Sequence, residues 1–298
     1  MIKLTTILAP LLCATLAATN TAAASVPEIS TPINTSARAQ AADLIAQRQA
    51  DLSKTTPAAA EAYQSLANEV LALGDIGPAA RARIEKALTT ASQQPDPAAA
   101  AATLEKALRW LESDIRFTPT VEAPIPEGFP SPTLIDEIEL KTYPTYRMVT
   151  ATPETMKRQR SGRWWARGDN NLFFALFDHI NQKQIPMTTP VEMNMGEGNR
   201  AQRMGFMYLS TSQGTTGPDG AVDVVDVPAS TVLSIGQRGY TSDAIIQSAR
   251  KRLEAYLATR PDLEPAGELR VMGWNSPSMP MAKRFFEIQI PVKTKPAN

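Results

Sequence analysis

Ile185-Pro186-Met187-Thr188-Thr189-Pro190-Val191 is the stretch on which the reading of this chain turns. It joins a helical pattern ending near Ile180 to a run that alternates like a strand from Val191. Prolines at 186 and 190 fix φ at both ends and remove two backbone donors, so the segment reads as a stiff, extended corner. An ordinary helix-to-strand connection manages with a glycine and an Asx residue. The extra stiffness implies that Met187 and the two threonines are held in particular places. Whether the corner serves as scaffold or also touches a ligand stays open, with scaffold favoured.

Upstream of the corner, Leu172, Phe173, Leu176, Phe177 and Ile180 share one helical face, with Asp169 as the capping residue. Burying each of those side chains is worth roughly 1.5 to 3 kcal/mol, enough to make the helix a main wall of a core. Downstream come strand patterns at 191–195, 205–209, 222–227 and 232–235, a helix from Ser242, then strands at 269–272 and 285–290. An early strand over 138–150 is bent at Pro144. Residues 134–293 thus read strand, helix, strand, strand, twice over: an α+β domain of two βαββ halves.

Residues 116–133 are proline-rich, with prolines at 119, 124, 126, 130 and 132, and read as a semi-rigid linker and domain boundary. Before them, residues 36–115 form an alanine-rich helical region with helix starts at Pro57, Pro78 and Asp96-Pro97. A small bundle serving as a spacer or an oligomerisation element is the expectation. Residues 1–24 carry Lys3, an apolar run from Leu4 to Leu12 and Ala22-Ala23-Ala24, the order of a secretory signal peptide, too short to span a bilayer. The reading is a secreted or periplasmic protein without stable membrane insertion. Cys13, the single cysteine, follows Leu12 where a lipoprotein signal has a small residue, which disfavours lipidation. A mature chain starting at Ser25 has no thiol, which excludes disulfides, cysteine nucleophiles and thiolate metal sites.

Thirty basic side chains balance thirty acidic ones, so there is no nucleic-acid footprint. His179 is the only histidine, which excludes multi-histidine zinc sites. At 100° per residue it lies about 90° from the centre of the apolar helix face, at a half-buried or exposed edge. Eight methionines fall between 187 and 281, Met187 and Met193 among them, and their polarisable chains suit an apolar cavity as well as ordinary core filling. Arg163 and Arg167 flank Trp164 and Trp165 in a basic stretch that is either a solvated loop or a bracket for an anionic aromatic ligand. No phosphate-cradling loop or dinucleotide fingerprint is present.

Several segments together resemble the SOUL family of haem-binding proteins. They are Ile138-Glu139-Leu140-Lys141-Thr142-Tyr143, the helix with the proline corner, the Val232 to Tyr240 strand and turn, and Gly273-Trp274-Asn275-Ser276-Pro277 before the last strand. The resemblance covers about residues 134–292 and implies a distorted antiparallel β-barrel flanked by two helices. It also implies non-covalent haem, or another tetrapyrrole, in an apolar cleft beside the first helix, without catalysis. Phe173, Phe177, His179, Met187, Met193, Arg163, Arg167 and Trp164 are the residues this points to. The histidine that some members carry before the first-strand tyrosine is Thr142 here, so no axial ligand is assigned. Two alternatives stay open: a general binder of hydrophobic small molecules, and an enzyme acting on a tetrapyrrole or ester through Tyr143, Tyr146 or His179.

Overall fold

A computed structural model describes residues 35–52, 60–158, 171–195 and 201–295. Arg163, Trp164, Arg167 and the capping Asp169 therefore lie outside the described residues, as does the signal-like segment.

Four helices open the described chain: α1 (Thr35–Leu52), α2 (Ala60–Ala72), α3 (Pro78–Ser92) and α4 (Pro97–Ile115). Their shared core contains Ile45, Leu66, Val70, Ile84, Leu104 and Leu108, the apolar stripes the sequence marks. Proline at the first helical position starts α3 and α4, and the Asp96 side chain accepts the Ala98 N–H.

Ten antiparallel strands make one sheet: β1 (Ile138–Tyr143), β2 (Tyr146–Ala151), β3 (Val191–Met195), β4 (Ala201–Met207), β5 (Gly217–Asp219), β6 (Val222–Val227), β7 (Ser230–Arg238), β8 (Leu263–Pro265), β9 (Arg270–Gly273) and β10 (Phe285–Thr294). Helices α5 (Pro153–Lys157), α6 (Asn171–Gln182) and α7 (Asp243–Ala258) complete the domain. The strand order β1-β7-β10-β9-β3-β4-β2-β6-β5 is a duplication made visible. In the first half β2, α6, β3 and β4 pair as β2-β4-β3, and in the second β7, α7, β9 and β10 pair as β7-β10-β9. The halves meet where β3 runs antiparallel to β9, with Glu192 opposite Met272. The order is an open path with β1 and β5 at its ends, so the expected closed barrel is replaced by a large sheet that is not closed.

The two faces of this sheet divide the cores. Val149, Phe206 and Val224 pack under α6 with Leu172, Leu176 and Ile180, while Leu233, Ile235, Val271 and Ile288 pack under α7 with Ile246 and Leu253. The opposite face gathers Tyr143, Tyr146, Met148, Met207, Val232 and Met272 into an interior cluster. Alternation along each strand sends odd and even residues to opposite sides, so the helix-covered side is apolar and the other mixes apolar with buried polar residues.

The proline-rich segment lies on the domain along its length. Phe117 stands 6.1 Å from Phe285, and Phe129 meets Tyr143 and Tyr146 edge-on at 4.9 and 5.0 Å. The helical region is docked as well. Glu137, at the threshold of β1, accepts the Ala79 and Ala80 N–H groups at the start of α3 and pairs with the buried Arg38 at 2.8 Å. A carboxylate from the sheet domain thus caps a helix of the bundle, where positive partial charge is concentrated. Gly77, the N-cap of α3, has φ 100°, and a Cβ there would lie 2.3 Å from Glu137 Oε1, so the approach requires glycine.

Candidate functional site

Helix α6 presents its apolar residues in two tiers. Leu172, Leu176 and Ile180 are buried against the sheet. Phe173 and Phe177, one turn apart, stack at 5.9 Å with planes 14° apart, and Phe173 meets Phe206 edge-on at 5.2 Å. Phe177 stays 38% exposed, so the single core face read from periodicity is a wall with an open aromatic step. Met187 and Ile185 pack against the same cluster, half-buried. Phe173 therefore joins Phe177 by stacking and Met187 by a shared cluster.

His179 is buried, at 8% exposure, rather than sitting at an open helix edge. Its Nε2 shares a 2.8 Å hydrogen bond with the Tyr208 hydroxyl, and Nδ1 lies 3.4 Å from Asp219, which Lys183 also pairs at 2.9 Å. The covering groups come from distant strand and turn positions, which helical phase does not reveal. Burial lowers the His179 pKa, against the opposing pull of Asp219, and pushes Tyr208 up to about 12. Nε2 is thus hydrogen-bonded, and Nδ1 faces Asp219 at a longer distance.

Met193 belongs to the other lobe. It packs against the α7 core and lines a cavity of about 290 Å³ with Met195, Tyr240, Asn275 and Phe286. It shares a sheet face with Val191, two residues earlier on β3, but Val191 joins the α6 core, so the division between the two lobes falls between them.

The proline corner is fastened on three sides. Thr188 Oγ1 donates to the Met207 carbonyl at 2.6 Å, Thr189 Oγ1 to the Trp274 carbonyl at 2.8 Å, and the Thr189 N–H to the Pro124 carbonyl at 3.0 Å. Ile185 N–H closes back on Ile180. The Thr189–Pro190 bond is cis. Both threonines are buried and spoken for, whereas Met187 faces the helix cluster.

The sheet interior holds a polar network that sequence reading missed. Arg270 Nη1 donates to Glu192 at 2.9 Å and to the Tyr146 hydroxyl, and Nε donates to Gln289. Gln289 in turn donates to Tyr143 and Glu287, and Glu287 receives Lys141 at 2.6 Å, the Thr133 N–H and the Trp274 ring N–H. Glu287 and Gln289, which alternate with the apolar Phe286, Ile288 and Ile290, are fully buried in this network. Burial, with Glu192 adding to it, pushes the Tyr146 phenol up to about 12, and burial also raises Tyr143. Neither phenol is poised to exchange a proton near neutral pH. Among the described residues no cluster of histidine, cysteine or carboxylates could hold a metal ion, and no helix is long and apolar enough to cross a membrane.

Two βαββ units back to back on one sheet, carrying an open aromatic step on the first helix, define a duplicated α+β domain. The chain belongs to the SOUL family: the family model described as SOUL heme-binding protein matches residues 131–291, just over half of the chain. No curated protein matches it. Among solved structures it is similar to the EcmrR C-terminal domain, at 15% identity and TM-score 0.35 over 53% of this chain and 97% of that one. It is also similar to a hydrolase from Listeria innocua, at 12% identity and TM-score 0.38 over 55% and 94% of the two chains. A third is SAV2435 bound to tetraphenylphosphonium, at 15% identity and TM-score 0.31 over 53% and 94%. These likenesses are too slight to carry an argument about function.

Proposed function

We propose that the protein binds haem or a related tetrapyrrole non-covalently against α6, without catalytic chemistry of its own, as a secreted or periplasmic protein. The observation that carries this reading is the Phe173–Phe177 stack, exposed at Phe177, with Met187 packed on the same α6 cluster as Phe173, in a SOUL domain. A planar macrocycle covering about 400 Å² of apolar surface gains about 10 kcal/mol at 25 cal/mol/Å², against an association cost of roughly 4 kcal/mol or more. The residues fit the macrocycle better than its iron. His179 is buried with Nε2 bonded to Tyr208 and Nδ1 facing Asp219, so affinity rests on apolar contact.

We read the helical region as a brace on the sheet domain, because the buried Arg38–Glu137 pair ties it there. A second reading, a broader binder of flat apolar molecules, draws on the methionine-lined cavity around Met193, separate from the α6 step. The absorbance spectrum of protein purified from cells supplied with iron and a haem precursor tests the first reading. A Soret band co-purifying with the protein is expected, and a colourless protein that takes up other flat aromatics instead favours the second.

A further inference from the structure

The sheet interior contains a cation with too few partners. Arg270 is 6% exposed, and while its Nε and Nη1 are bonded, its Nη2 has no partner. Glu192 does not supply one: Oε2 receives Arg270 Nη1 and Tyr146, and Oε1 is turned to Arg203. Two guanidiniums therefore share one carboxylate at this end of the interior.

Beside them lies a cavity of about 490 Å³ lined by Arg203, Arg270, Asn194, Ser230, Val227 and Pro291. Through Asn194, Gln202 and Gly267 it adjoins a cavity of about 540 Å³ along α7. There Met195, Leu257 and Leu269 form an apolar wall, and the buried Nε of Arg250 also has no hydrogen-bond partner. Glu254 and Glu268 line the trough too, but both are exposed, so water screens them far more than it screens Arg270. A desolvated guanidinium with unused donors favours a carboxylate that reaches it, and each cavity falls within the range of about 300 to 1,000 Å³ usual for small-molecule sites.

We propose that this trough is a second ligand site, separate from the α6 step, for an apolar molecule bearing a carboxylate. The carboxylate meets Arg270 once its shielded Nη2 turns into the trough, beside Arg203, and the hydrocarbon lies along Met195, Leu257 and Leu269. A free fatty acid and a tetrapyrrole propionate both offer this chemistry.

Calorimetric titration of the full chain with decanoate tests the proposal. Saturable one-to-one binding is expected, with decanol bound at least tenfold more weakly. Arg270→Gln should lose at least tenfold in decanoate affinity. Ala229→Trp, on the exposed turn lining the trough, should abolish decanoate binding while leaving the buried network and the unfolding temperature unchanged. Displacement of decanoate by haemin assigns the site to a propionate, and independent binding of the two assigns it to a fatty acid. Equal affinity for decanoate and decanol, no saturation at millimolar decanoate, or full affinity in both variants would overturn it.

Discussion

Thr189 and Trp274 join the two halves of the sheet domain: the threonine hydroxyl donates to the tryptophan carbonyl at 2.8 Å, across 85 residues of sequence. The same threonine holds the Pro124 carbonyl through its N–H, so the helix-to-strand corner, the far end of β9 and the proline-rich segment converge on one residue. Thr189→Val keeps the shape and removes the hydroxyl, leaving a buried carbonyl unpaired. A loss of about 1 to 3 kcal/mol in urea unfolding is expected. Stability equal to wild type would show the clasp to be incidental.

The bundle and the sheet domain should unfold together. Arg38→Ala strands the buried Glu137 carboxylate, which removing one partner of a buried pair makes costly by about 3 to 5 kcal/mol. Gly77→Ala forces a Cβ against the same carboxylate and should destabilise in the same direction. One cooperative transition in wild type, split into two by either variant, is the expected calorimetric result. Two transitions already in wild type would contradict the docking.

Stability should fall on mild acidification through His179. Burial lowers its folded pKa below the unfolded value of about 6.5, so the unfolded chain takes up the proton first. The residue's contribution is fully present above about pH 6.5 and is lost as pH drops from there toward the folded pKa. In urea unfolding between pH 7 and pH 5, His179→Gln should show a shallower slope than wild type. Identical slopes would place the imidazole in solvent.

Two glycines separate a rigid contact from a soft one. A Cβ on Gly236 would lie 2.3 Å from the Thr133 carbonyl oxygen, backbone that β7 and the incoming chain hold fixed, whereas on Gly205 it would meet the Met148 methyl, the free end of a flexible chain. Gly236→Ala should cost about 2 kcal/mol or more, and Gly205→Ala less than about 1.5 kcal/mol. Thermal unfolding of the two variants decides whether that order holds.

Much of the architecture is legible in the sequence because periodicity and punctuation are local. The helix starts at Pro78, Asp96 and Ser242, the break at Pro144 and the duplicated βαββ order all follow from such signals. Sheet closure is not local, and the expected barrel became an open path. The site divides the same way. Phe173 stacks on Phe177 through helix phase and Met187 reaches the same α6 cluster as Phe173 through the stiff corner, while Met193 joins the α7 core because β3 runs across the boundary between the two lobes. His179 is covered by residues from β5 and the end of β4, and the Arg270–Glu192 network needs four strands to form. The His179–Tyr208, Arg270–Glu192 and Arg270–Tyr146 pairings span 29, 78 and 124 residues, beyond the reach of any pattern read along the chain.

The central claim is that a flat macrocycle lies on the α6 aromatic step, and haemin titration followed in the Soret region tests it most directly. Wild-type protein should give a saturable one-to-one shift at micromolar haemin, and Phe177→Ala should weaken it about tenfold, the loss of about 1.4 kcal/mol of ring contact. His179→Gln should leave the affinity within about threefold, since the imidazole is already engaged. No Soret shift at micromolar haemin, or a shift untouched by Phe177→Ala and abolished by His179→Gln, would contradict the account.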